Sequence, residues 1–203
     1  MNLVFSTPIW HTEYSDFENK TEKENVISSA KEYAQENPNT CGRYLINGYQ
    51  SPDFLHTKEK LRPLFNYVVH YISQIIDQLN LIDLDIFITS SYVSIMNKRE
   101  SMILQNFNDS TFSGVFFLKV PDESGYFNII NPSLNSNWNL LKNCKEKNPI
   151  TSEMVKIVPS EGEIVIWPSY VPFSFETNRH GEELIAIYFN ILTLPKQKNQ
   201  NDV

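Results

Sequence analysis

The chain has 203 residues, 41% hydrophobic and 13% aromatic, with 17 basic against 24 acidic side chains and a net charge of −7. That length suits one domain around one sizeable core, since single domains run to roughly 100–250 residues. With a pI near 5.1 there is no basic field to collect phosphates, so nucleic acid is not an expected partner.

In chain order, Leu3-Val4-Phe5 and Thr7-Pro8-Ile9-Trp10 predict an edge strand within residues 1–10 that ends at a proline. The same stretch lacks the basic start and long apolar run of a signal peptide, which predicts a cytoplasmic protein. Thr21 to Gln35 is charged, with weak apolar spacing, and predicts a solvent-facing helix that stops before Asn37-Pro38. Cys41-Gly42 and Asn47-Gly48-Tyr49-Gln50-Ser51-Pro52 read as loop or short turn. The clearest helix runs from Thr57 to Leu79, with Leu61, Leu64, Phe65, Val68, Ile72, Ile75, Ile76 and Leu79 at steps of three and four. Thr57 is placed as its cap and Pro63 in its first turn, where a missing N–H costs little. His70 on this helix has no second ligand on its face and reads as a surface or packing residue.

From Leu84 the apolar period becomes two, over Leu84–Met96, Gly114–Val120, Tyr126–Ile130, Val155–Val158, Glu163–Trp167, Phe173–Glu176 and Glu183–Leu194. So many short strands after two helices predict a mainly β (α+β) fold of antiparallel sheets packed face to face, a jelly roll or related barrel. The expected organisation is a single domain: strand and helices over 1–83, a β core over 84–194 with an insertion at 131–151, and a polar tail at 195–203. The apolar runs fall well short of the roughly 20 residues of a spanning helix, so no membrane partner is expected. Cys41 and Cys144 form no C-x-x-C pair and read as unpaired thiols in a reducing compartment.

Three stretches carry a resemblance. Phe5-Ser-Thr-Pro8-Ile-Trp10 with Asn47-Gly-Tyr-Gln-Ser51, then Ser110-Thr-Phe-Ser-Gly-Val-Phe-Phe-Leu118, then Gly162-Glu-Ile-Val-Ile-Trp-Pro-Ser-Tyr-Val-Pro172 with Glu183-Leu-Ile-Ala-Ile-Tyr-Phe-Asn190 follow one another in the right order. Together they resemble a group of small 2-oxoglutarate/iron(II) oxygenases of marine bacteria and their phages. The resemblance implies a double-stranded β-helix with the long helix outside the sheet. It also implies an iron site built from a His-x-His or His-x-acid pair before the Ser-Gly strand and a distant His, with an Arg on the last strand for the co-substrate carboxylate. Such iron needs imidazole and carboxylate ligands that leave positions open, and a buried dicarboxylate needs a forked, permanent cation.

Laid onto that motif, the first pair falls on Gln105 and Phe107, the distant His on Phe173 and the Arg on Leu184. None of the four keeps the chemistry, and three are large and apolar. No catalytic residue, metal ligand or cofactor is therefore expected. The remaining histidines offer no substitute set. His180-Gly181-Glu182 has His-x-Glu spacing but reads as a hairpin tip; His56 leads into the long helix; His11 has no acidic partner nearby in sequence. Asp83 with Asp85 and Glu182 with Glu183 read as solvated charges. No G-x-S-x-G elbow or Gly-rich phosphate loop is present.

The leading expectation is thus a catalytically inactive oxygenase-like protein reused as a structural or binding module. It would meet protein partners, in a homo-oligomer or in a phage particle as a neck, tail or capsid-associated component, through residues 1–10 or 131–151. Two alternatives stand beside it: an oxygenase with unconventional ligands, and a small-molecule sensor whose old cavity is lined by Tyr92, Gln105 and Asn190.

Overall fold

The structure is a computed structural model of the chain, and it describes residues 7–40, 42, 44–132, 145–146 and 152–196. Both cysteines, residues 1–6, the tail beyond 196 and nearly all of the 131–151 insertion lie outside the described residues.

Helix α1 (Lys20–Glu36) opens on Asn19, whose side chain accepts from the Thr21 N–H at 3.0 Å and so satisfies one orphan donor of the first turn. Helix α2 (Arg62–Gln78) carries Pro near its start and buries Leu64, Phe65, Val68, Ile72, Ile75 and Ile76 on one face. Thr57 does not cap it. Two 3-10 turns, Leu55–Thr57 and Glu59–Leu61, intervene, and the Thr57 hydroxyl donates backwards to the Phe54 carbonyl at 2.8 Å. Pro63 fixes the first helical turn, so the preceding residues tighten into 3-10 geometry instead of extending the α-helix.

Eleven strands form two antiparallel sheets among the described residues: β1 (Trp10–Glu13), β2 (Leu45–Ile46), β3 (Tyr49–Gln50), β4 (Leu84–Met96), β5 (Ser101–Gln105), β6 (Phe112–Lys119), β7 (Phe127–Ile130), β8 (Met154–Ile157), β9 (Glu163–Pro168), β10 (Phe173–Phe175) and β11 (Leu184–Pro195). One sheet has the order β1-β9-β6-β11-β4-β3 and the other β2-β5-β10-β7-β8. From β4 the chain winds between them, which is the expected double-stranded β-helix.

Alternation assigns each strand's two faces. Ile185, Ile187 and Phe189 of β11, Phe116 and Leu118 of β6, and Ile164 and Ile166 of β9 meet the helices. Leu184, Ala186 and Tyr188, Val115 and Phe117, and Val165 and Trp167 point instead between the sheets. Both faces are buried, so these segments read as continuous apolar runs. Each buried large side chain contributes about 1.5–3 kcal/mol, and the helices therefore close one layer while the second sheet closes the other.

Three expectations need correction. Among the described residues the first strand is Trp10–Glu13, which follows Pro8 instead of ending at it and pairs with β9 from Glu163 to Ile166, while Leu3-Val4-Phe5 lie outside the described residues. Tyr71 and Tyr67 hydroxyls on α2 donate to the His11 and Glu13 carbonyls at 3.0 and 2.7 Å, so this edge already has partners. The segment expected to be loop at 47–52 holds β3, and β2 precedes it; each adds two residues to the rim of a different sheet. Strand β5 was not anticipated: Ile103 and Leu104 are both exposed, so Ser101–Gln105 has no clean period of two.

Gly114 explains the Ser-Gly pair in β6. It stands opposite Phe189, and a Cβ there would come within 2.2 Å of the Phe189 ring. Gly114→Ala is expected to cost about 1–3 kcal/mol through forced displacement of that ring, read as a lower urea midpoint. An unchanged midpoint would show that the ring can move freely.

Candidate functional site

The motif positions converge between the sheets. Gln105 ends β5 and Phe173 begins β10, and the antiparallel register makes them direct partners. Phe107 lies just past β5, where its N–H donates to the Ser169 carbonyl at 3.0 Å; its ring centroid is 5.8 Å from that of Phe173 and 6.1 Å from that of Tyr44. Phe173 is completely buried. Trp167 meets it at 4.8 Å and 61°, and Tyr188 stacks on it at 5.9 Å and 20°. Leu184 starts β11 opposite Met96 and belongs to the same inter-sheet layer, fully buried.

Three polar residues are expected to line an old cavity in this interior. Tyr92, Gln105 and Asn190 are all buried. Asn190 is satisfied: its Oδ1 accepts from Ser113 Oγ at 2.8 Å, its Nδ2 donates to Ser90 Oγ at 3.0 Å, and Ser113 Oγ is 2.9 Å from Ser169 Oγ. The other two are not. Tyr92 Oη, both Gln105 amide atoms, Tyr188 Oη, Trp167 Nε1 and Ser94 Oγ are buried without a hydrogen-bond partner. Each such group costs roughly 1–3 kcal/mol when left unmade. Burial pushes both tyrosine hydroxyls well above their ordinary range, and for Tyr92 the neighbouring Tyr188 and Asp53 add to it, so both remain protonated donors.

The histidines take structural places. His11 Nδ1 lies 2.8 Å from Glu163 Oε1, an acidic partner that sequence distance concealed and the β1–β9 pairing supplies. His180 Nδ1 accepts the Glu182 N–H at 3.1 Å, and Glu182 binds Lys119 at 2.8 Å, consistent with a tip held together by its own hydrogen bonds. The buried Asn178 pins that loop by donating to the Met96 and Glu182 carbonyls. Glu183 pairs with Lys31. His70 is exposed on α2 beside Gln74. His56 Nδ1 lies 2.8 Å from Ser91 Oγ, with Asp53 nearby. This trio resembles a nucleophile and its base, yet Ser91 has no exposed surface at all, so no substrate reaches it. Among the described residues no group of three or more His, Cys, Asp or Glu side chains could hold a metal ion.

A groove of about 700 Å³ lies elsewhere, beyond the end of β10 remote from Phe173. It runs between 120–126 and 158–161, with Glu176 and Arg179 at its side.

Residues 90–190, spanning β4 to β11, match the family model described as "Putative 2OG-Fe(II) oxygenase". The chain carries the fold of the 2OG-Fe(II) oxygenases. A Pseudomonas putida prolyl-4-hydroxylase superposes with a TM-score of 0.64 at 12% identity, covering 92% of this chain and 93% of that one. The carbocyclase SnoK from nogalamycin biosynthesis, called non-heme and alpha-ketoglutarate dependent, gives 0.64 at 15% identity over 97% and 85%. A viral collagen prolyl hydroxylase from Paramecium Bursaria Chlorella virus-1 gives 0.59 at 12% identity over 90% and 94%. No curated protein matches the chain. At such identities the likeness fixes the architecture, and residue chemistry must be judged at each position.

Judged there, the positions do not fit iron and 2-oxoglutarate. Two phenyl rings and a neutral amide stand where the resemblance implies metal ligands, and Leu184 stands where it implies a guanidinium. The Phe173 ring, packed against Trp167 and Tyr188, stands at the position where the resemblance implies the distant histidine.

Two measurements follow. Phe173→Ala is expected to lower stability by about 3–5 kcal/mol, the usual cost of emptying a buried aromatic site, in urea unfolding; a loss under 1 kcal/mol would mean the ring is not a packing element. Burial holds the His56 imidazole below its ordinary 6.5, with Asp53 opposing. The folded chain then binds fewer protons than the unfolded one as pH falls below about 6.5, so this contribution is full above that pH and is lost as pH drops. Asp53 is raised by burial and acts in the opposite sense at lower pH. Between about pH 7 and 5 the unfolding free energy should therefore fall less steeply in His56→Gln than in the wild type; equal slopes would refute the assignment.

Proposed function

We propose that the chain is a catalytically inactive member of the oxygenase family, used as a binding or structural module in an assembly. One observation carries this reading. Gln105 pairs with Phe173 across the β5–β10 ladder and the Phe107 ring lies 5.8 Å from that of Phe173, so the three positions where the resemblance sets metal ligands come together with two phenyl rings and a neutral amide. Three ligand positions that lost their chemistry and gained mutual packing support a changed role for the scaffold. The fold itself is neutral on this point, since one architecture hosts many functions.

For the contact surface, the second sheet is favoured over the first strand. Residues 10–13 already have hydrogen-bond partners on α2, whereas Ile46, Ile103 and Leu104 are exposed on and beside β2 and β5, and Met154, Val155 and Val158 on and after the rim strand β8. Exposed apolar strands at a sheet rim suit a protein partner. The finer proposal, a component of a phage particle, rests on the resemblance to phage-borne relatives alone.

Calorimetric titration with Fe(II) or Mn(II) should give no binding heat, and 2-oxoglutarate should not turn over; stoichiometric uptake would return the chain to the oxygenases. The assembly reading has a separate check. Light scattering should find an oligomer, or mass spectrometry should find the chain in purified particles, and a protein that is monomeric and absent from particles would refute it.

A further inference from the structure

Strand β4 is longer than its partners on the side away from β11. There β3 pairs only with Ser94 and Ile95, the Ser51 N–H reaches the Val93 carbonyl at 3.0 Å, and the His56 N–H meets Ser91 Oγ at 2.7 Å. From Leu84 to Ile88 no strand among the described residues pairs with that edge. The backbone of this stretch is aimed outward. Thr111 donates its N–H to the Ile191 carbonyl at 2.7 Å and accepts the Thr193 N–H on Oγ1 at 3.0 Å, so Ile191 and Thr193 turn their polar groups away from β4. Ile88 and Ile86 face those two residues across the ladder. They therefore stand in non-hydrogen-bonded pairs with β11, and their own N–H and C=O groups point to the free edge. The Lys196 N–H, which donates to the Asp83 carbonyl at 3.2 Å, sets the same phase at the end of the ribbon. The other rims are blunted: β1 has tyrosine hydroxyls on its carbonyls, β2 and β3 are two residues long, and β8 carries Lys156. The free stretch reads Leu84-Asp-Ile-Phe-Ile88, with Phe87 exposed and Leu194 exposed on the same face of the ribbon.

We propose that this edge joins a second copy of the chain, β4 against β4, antiparallel about a two-fold axis through Phe87, so that one sheet runs on across both copies. The inference rests on the part of the reading above that places the chain in an assembly, and not on the loss of iron. A two-fold contact presents one patch to itself, so the patch must be self-complementary. The backbone meets that condition. With Phe87 opposite its own copy, Ile86 of each copy faces Ile88 of the other, and these are the residues whose polar groups point outward. Each such pair exchanges both backbone hydrogen bonds. Phe87 then falls at the non-hydrogen-bonded position, where side chains stand closest, and ring meets ring. Charge chooses this axis over its neighbours. About Phe87 the Asp85 carboxylate, the one charge of the stretch, faces the neutral Thr89 of the copy; about Ile86 it would face the Phe87 ring. An axis through Ile88 would run the pairing past the register shift opposite Asn190 and Ile191 into the stretch that the His56 segment covers.

Sedimentation of the full chain tests this. The wild type is expected to be a dimer at about 100 μM. Phe87→Lys should raise the dissociation constant about a hundredfold, because it loses the ring pair and sets like charges opposite each other. Cysteine reads the register. In a Cys41→Ser, Cys144→Ser background, Phe87→Cys should form an interchain disulfide on mild oxidation, since a residue on the axis meets its own copy within disulfide reach. Asp85→Cys, placed opposite Thr89, should not. A monomeric wild type, a dimer that Phe87→Lys leaves intact, or a Phe87→Cys chain that cross-links no better than Asp85→Cys overturns the proposal. The cysteine pair alone remains decisive if Phe87→Lys does not fold. An oligomer that persists in Phe87→Lys sinks this inference and leaves the assembly reading standing, whereas Fe(II) uptake sinks the inactive reading and leaves the pairing.

Discussion

Strand β11 lies between β4 and β6 and is buried on both faces from Leu184 to Ile191. Its odd-numbered side chains hold the helices and its even-numbered ones face the second sheet. Because the side-chain period is two, a slip of one residue would exchange these sets and place Tyr188 and Asn190 against α2. The long ladder, from Leu184 against Met96 to Pro195 against Leu84, forbids that slip. Both the packing of the helices and the composition of the barrel interior therefore follow from one register.

The same register decides what the interior can do. It brings Tyr188 beside Tyr92 and Asn190 beside Ser90 and Ser113. Asn190 is satisfied by its serine network, while Tyr92, Tyr188, Trp167 and Gln105 each bury polar atoms without a hydrogen-bond partner. An interior emptied of its reactive groups by drift alone would be expected to become uniformly apolar, since replacing an unpaired buried amide or hydroxyl by hydrocarbon is favourable. The interior combines apolar side chains at Phe107, Phe173 and Leu184 with buried polar ones at Tyr92, Gln105 and Asn190.

Three of the histidines show how fold outranks spacing in the reading of a site. His180-Gly181-Glu182 has the spacing of a ligand pair, yet the Glu182 N–H closes a local hydrogen bond to the ring and its carboxylate turns to Lys119. His11 has no acidic neighbour in sequence and acquires Glu163 across a strand pair. His56, Ser91 and Asp53 assemble from two distant segments into a triad-like group, which Ser91's complete burial makes structural.

The amino-acid sequence by itself determined the two helices and most of the strands from Leu84 onward, because periods of 3.6 and 2 are local signals and the strands are short and closely spaced; the double-stranded β-helix came from the resemblance to the oxygenase family. It also determined which side chains stand at Gln105, Phe107, Phe173 and Leu184. Strand β5 was not legible, since Ile103 and Leu104 are adjacent and both exposed, and neither were the two-residue strands β2 and β3, which exist only because β5 and β4 offer partners. The meeting of Phe107 with Phe173, the lack of hydrogen-bond partners for buried Tyr92 and Tyr188, which stack on one another, and the His11–Glu163 pair were decided by tertiary structure alone. Each joins residues tens of positions apart or more, and hydrogen-bond satisfaction is a property of surroundings that no single position records.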